Sequence, residues 1–125
     1  MKKPILTFLI VLFTLTSNVV WSANYNQGLT AYNNGDYATA LLEWKPLAEQ
    51  GNADAQYNLG VMYYKGQGVI QDNVYAHMWF NIAASAREKY ATKDRDVIEK
   101  KMTPADISTA QKLARECVKK NYKGC

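Results

Sequence analysis

Between residues 53 and 85 the apolar positions fall at steps of three and four. Ala55, Leu59, Met62 or Tyr63 and Gly66 make one face, and Ala76, Trp79, Phe80, Ala83 and Ala84 make another. Both spacings are those of an α-helix with one side turned to a core. Between them, Gly66-Gln67-Gly68 predicts a stop for the first helix, and Asp72 predicts an N-cap for the second. Two helices joined by so short a turn form an antiparallel hairpin.

The pattern also occurs earlier in the chain. Tyr25, Gly28, Leu29 and Tyr32 recur 32 residues later as Tyr57, Gly60, Val61 and Tyr64, while Ala40, Trp44 and Ala48 recur 36 residues later as Ala76, Phe80 and Ala84. The mismatch between the two offsets is an insertion in the later copy, placed in the stretch Gly66 to Val69. In the earlier copy Gly35-Asp36 supplies the turn and the cap. Repetition of one hairpin predicts a stack in which each copy buries its apolar face against the next. Gly60, Ala76 and Ala84 leave room for close approach, and Trp44, Trp79, Phe80 and Tyr63 fill the space that remains. The rest of the chain reads as a charged helix over Glu88 to Lys101 carrying Val97 and Ile98. Thr103-Pro104-Ala105-Asp106 then opens a last helix, whose Ile107, Ala110, Ala114, Cys117 and Val118 form an apolar stripe.

The first residues follow another rule. Lys2 and Lys3 precede an uncharged run from Ile5 to Leu15 and then the polar Thr16, Ser17 and Asn18, the layout of a secretory signal peptide. A membrane helix needs about 20 apolar residues, more than this run offers; the alternative to a cleaved leader is a retained anchor. Two cleavage positions stay open: after Ser22, with Val20 and Ser22 as the small recognition pair, or after Ala23, where bulky Trp21 occupies the third place. Residues 1–23 are thus expected to be a leader and 24–125 the mature domain, periplasmic or secreted. No Cys stands near the cleavage point to carry a lipid anchor.

With 125 residues, 48% of them hydrophobic and 21% charged, the chain has the make-up of one globular domain. Its formal charge of +4 falls to about +2 once Lys2 and Lys3 are removed, so nucleic acid is not implied. Cys117 and Cys125 are the two cysteines, and an oxidising compartment allows them one intramolecular bridge.

These residues are recognisable. The stretch from Ala48 to Val69, continued by Asp72 and by Ala76 to Ala84, closely resembles the Sel-one-like repeat, a relative of the tetratricopeptide repeat. Gly28 to Ala31, Gly35-Asp36-Tyr37, Ala40, Trp44 and Pro46-Leu47-Ala48 resemble the more tetratricopeptide-like opening unit of small exported bacterial members. Met102-Thr103-Pro104 and Ala110 to Arg115 resemble their closing helix. The resemblance implies an all-α fold, a right-handed alpha-alpha superhelix of about three helix hairpins, with units near 24–50, 51–85 and a degenerate 86–125. The Cys117 and Cys125 spacing is also similar to the disulfide of cysteine-rich secreted members, although here it occurs once.

Some of those cysteine-rich relatives are connected with penicillin binding or β-lactam hydrolysis, so chemistry must be tested on the residues. A serine acylase needs Ser with Lys three positions on, yet Ser85 meets Glu88 and Ser108 meets Gln111. Thr109 and Lys112 have the spacing but sit in a plain amphipathic helix. His77 is the single histidine, and its expected place is structural or solvent-facing, so no metal site is expected. Glu43, Glu49, Asp54 and Asp72 read as caps and solvated faces, and Gly66-Gln67-Gly68 lacks the strand and Lys-Ser/Thr of a phosphate loop. No catalytic residue and no cofactor is expected.

A binding surface fits better. With Ala55, Leu59 and Tyr63 inward, Tyr57, Val61 and Tyr64 lie on the opposite side of the same helix, beside Asn58 and Lys65. Their counterparts are Tyr25, Leu29 and Tyr32, flanked by Asn26 and Asn33. By resemblance to tetratricopeptide repeats this face lines a concave groove where another protein or peptide docks. The expectation is an adaptor or scaffold; the rival is a cell-wall hydrolase or a binder of penicillin or peptidoglycan, contacted through Lys119, Lys120 and Lys123. The alternative for the tyrosines is packing between neighbouring helices.

Overall fold

The computed structural model describes residues 22–86 and 88–125. Of the expected leader only Ser22 and Ala23 fall among these; the rest lies outside the described residues. Six α-helices and no strand make up the described chain: α1 Tyr25–Asn33, α2 Tyr37–Glu49, α3 Ala53–Lys65, α4 Asn73–Ser85, α5 Ala91–Glu99 and α6 Pro104–Lys119. This is the all-helical repeat fold that the periodicity predicts.

The helix ends follow from their residues. Asp36 accepts a hydrogen bond from the Thr39 amide at the start of α2, and Thr39 holds the Asp36 carboxyl below its ordinary value. Asp72 does the same for Tyr75 at the start of α4, and Thr103 for Asp106 at the start of α6, where Pro104 takes the first turn. Asn52 caps α3 through the Ala55 amide. Gly66 ends α3 in the left-handed region at φ +66°, a conformation that a Cβ makes costly; it is therefore a terminator and not part of the buried face.

α1 packs on α2 and α3 on α4 as hairpins, and α2 against α3 joins them. Ala40, Trp44, Ala55, Leu59, Met62 and Trp79 are buried together in the main core. The packing repeats with the sequence. Gly28 lies against the Trp44 ring, and Gly60 lies against Phe80, where an added Cβ would sit 2.5 Å from the ring. The closing unit is looser than a hairpin: α5 and α6 each lean mainly on α4. α5 is also shorter than the expected helix from Glu88 to Lys101, because Glu88 stays outside and its carboxylate accepts from the Tyr90 and Ala91 amides at 2.9 and 2.7 Å. In α6 the expected stripe narrows to Ala110, Ala114 and Cys117, while Val118 is 47% exposed.

After α6 the chain turns back. Asn121 and Tyr122 adopt positive φ, Gly124 follows at φ +69°, and Cys125 is bonded to Cys117 with their Cα atoms 5.7 Å apart. Tyr122 packs on the main core beside Gly51, in the turn between α2 and α3.

Candidate functional site

Tyr57, Val61 and Tyr64 stand at successive steps of four and three along α3, so they share one side of that helix. Phe80 from α4 and Ile98 from α5 close the floor beneath them, and Asp94 and Val97 from α5 form the opposite wall. With Lys65 at the edge they enclose an open-mouthed cavity of about 180 Å³. The Tyr57 ring lies 5.4 Å from Phe80 and 6.2 Å from Tyr90, and its hydroxyl donates to Asp94 Oδ2 at 2.6 Å. Burial first, then the Asp94 carboxylate, push the Tyr57 phenol far above its ordinary value, so it stays a donor. At the other end Lys101 Nζ donates to the Tyr64 hydroxyl at 2.6 Å.

The equivalent tyrosines of the first unit make equivalent links. Tyr25 leans on Trp44 at 5.9 Å and its hydroxyl accepts from Asn58 Nδ2 at 3.0 Å. Tyr32 packs between Tyr37 and Trp44 at 5.3 and 5.5 Å and donates to Gln67 Oε1 at 2.7 Å. Each tyrosine of one unit thus reaches a polar side chain of the next: Tyr25 to Asn58 and Tyr57 to Asp94, Tyr32 to Gln67 and Tyr64 to Lys101. These four are half-buried, which gives the packing alternative real weight, while Leu29 is 40% exposed and Asn33 is exposed. Of the expected binding residues, Tyr57, Val61, Tyr64 and Lys65 meet around one cavity. Tyr25, Leu29, Tyr32, Asn33 and Asn58 lie apart from it on α1 and the adjoining part of α3.

The sequence reading missed Phe80, Asp94, Val97 and Ile98 as lining residues. The repeat offset from Asn58 would have pointed near Asp94, but the third unit is too degenerate to align. One charged group needs correction. Glu43 is not on a solvated face: it is 2% exposed. His77 is fully buried, with Nε2 2.7 Å from Glu99 Oε1 and no partner for Nδ1 among the described residues, a structural link between α4 and α5. Placing the proton on Nε2 follows from Glu99 being the acceptor.

The Thr109 hydroxyl donates to the Ala105 carbonyl at 3.0 Å, and Lys112 faces Glu116 at 4.0 Å, so the two are not directed at one another. Among the described residues no three His, Cys, Asp or Glu side chains are placed to hold a metal ion.

Residues 53–87 fit the family model described as Sel1 repeat, which supports the Sel1-like repeat family on the hairpin of α3 and α4. No curated protein is similar enough to the chain to match it.

Proposed function

We propose that the protein is an exported adaptor whose α3/α5 cavity receives one apolar side chain of a partner protein or peptide, with Tyr25, Leu29, Tyr32 and Asn33 extending the contact surface across α1. The observation that carries this reading is the cavity itself. Tyr57, Val61 and Tyr64 leave an opening of about 180 Å³ between α3 and α5, floored by the aromatic and aliphatic side chains of Phe80 and Ile98. Asp94 and Lys65 on its lining give a docking peptide one anionic and one cationic contact. Sel1 repeats generally mediate protein–protein interaction, which supports the adaptor role.

Three units, near 24–50, 51–85 and 86–125, and a right-handed winding of the helices belong to the same proposal. Export is supported by the Cys117–Cys125 bond, since such bonds persist in oxidising compartments. No described helix is long and apolar enough to cross a membrane.

Photo-crosslinking in cells tests the binding face. A crosslinker at Val61 is expected to trap a discrete protein that one at Leu42, 59% exposed on α2, does not trap. Tyr64→Ala is expected to weaken capture by about 1–2 kcal/mol with little change in melting temperature. Leu59→Ala should do the reverse, lowering stability by about 2–5 kcal/mol. If Tyr64→Ala unfolds the protein as readily as Leu59→Ala, the tyrosine row is core and the binding face lies elsewhere.

A further inference from the structure

Among the described residues Glu43 is the one carboxylate that is almost wholly buried, and no cation among them balances it. Its side chain, on α2, is 2% exposed. Among the described residues its one hydrogen bond comes from the backbone nitrogen of Asn24, 2.7 Å from Oε2. None of the ion pairs found among the described residues includes Glu43. A carboxylate taken out of water calls for a cation or several donors, and a single amide N–H is a poor complement.

The donor is placed where a cation can be made. Asn24 is fixed independently of Glu43: its side chain accepts from the Gln27 amide at 3.1 Å and its carbonyl accepts from the Gly28 amide at 3.1 Å, so it is the N-cap of α1. Its nitrogen belongs to the Ala23–Asn24 peptide bond, one of the two positions at which the leader's sequence allows removal. We propose that this bond is the processing site, and that the α-ammonium group it releases on Asn24 is the counter-ion of Glu43.

The chemistry is a peptide hydrolysis by an endopeptidase of the signal-peptidase class. Water adds to the Ala23 carbonyl, the C–N bond breaks, Ala23 leaves as a carboxylate on the leader, and the Asn24 nitrogen takes up protons to become an ammonium. That nitrogen stays within reach of Oε2, because the cap holds the residue through other atoms. An ammonium at a helix N-terminus is opposed by the positive end of the helix dipole; Glu43 offsets that repulsion while gaining the charge it lacks. Cleavage one bond earlier, after Ser22, would carry the ammonium to Ala23 and leave Glu43 with its single amide. The small-residue preference at the third position favours that earlier bond, since Val20 is smaller than Trp21, so the two arguments make opposite predictions.

The inference rests on the export reading, and the experiment separates the two. The full chain is expressed in a secreting bacterium, and the exported product is sequenced from its N-terminus and weighed intact. Asn24 is expected as the first residue. A product beginning at Ala23 overturns the proposal and leaves export standing, whereas a folded protein that keeps Met1 overturns both. The pairing is then read on chains beginning at Asn24 with the α-amino group free or acetylated. Acetylation is expected to lower the melting temperature by roughly 4–8 °C, and by much less in a Glu43→Gln background. An equal drop in both backgrounds, or none in either, removes Glu43 as the counter-ion.

Discussion

Gly28 and Gly60 occupy the same place in successive units, and each lies under an aromatic ring that the repeat also places equivalently, Trp44 in one case and Phe80 in the other. Two general effects oppose each other at Gly60. Alanine is favoured over glycine inside a helix by about 0.5–1 kcal/mol. Against this, a Cβ would sit 2.5 Å from Phe80 Cδ1, and that ring is 1% exposed and packed with Ala76 and Ile98. Overpacking of this kind costs about 1–3 kcal/mol, so the clash should win. Gly60→Ala is therefore expected to lower the urea midpoint, and Gly60→Leu to lower it further; a midpoint that rises with Gly60→Ala would show that Phe80 moves aside freely. The Gly60 close approach was legible in the sequence, since small residues opposite large ones follow from repetition. The burial of Glu43 and His77 was not, because periodicity ranks a charged or polar side chain as outward and says nothing of a partner brought from elsewhere in the fold, Asn24 or Glu99.

At the scale of elements, α5 decides whether the candidate site exists, because it supplies the Asp94, Val97 and Ile98 wall. It is nine residues long, and helices so short do not persist on their own. Its N-terminus has no cap from Tyr90; the Glu88 carboxylate takes that role through the Tyr90 and Ala91 amides. Glu88→Ala leaves those amides without a partner, at a cost of about 0.5–2 kcal/mol. Amide hydrogen exchange is expected to accelerate in α5 while α3 and α4 stay protected, and ligand capture at Val61 to weaken with it. Uniform acceleration over all helices would mean that α5 is not an independent unit. The element pattern itself was readable wherever a helix had both a period and a cap, as in α2, α4 and α6. The start of α5 was misplaced by three residues because Glu88 belongs compositionally to the charged helix but serves it from outside.

On the scale of the whole molecule the C-terminal residues tie the end of the stack to its middle. The Cys117–Cys125 bond closes a short loop, and Tyr122 within that loop packs on the main core beside Gly51, between α2 and α3. The pairing was expected from there being two cysteines and from the resemblance, but the reach of Tyr122 to the first joint was not, since nothing in a periodic pattern encodes where a non-helical tail lands. Loop-closure entropy assigns a bridge of this size about 2–3 kcal/mol, less where a chain end frays. Here the packing of Tyr122 opposes the fraying, and the bridge spans Asn121 and Tyr122, both at positive φ, a region that non-Gly residues seldom adopt. The two contributions should be coupled. Cys125→Ser is expected to cost about 2–3 kcal/mol by urea unfolding, and Tyr122→Ala to cost clearly less in the Cys125→Ser background than in the disulfide-bonded protein. Strictly additive losses would mean that Tyr122 finds its place beside Gly51 without the disulfide, and that the tail is fixed by packing alone.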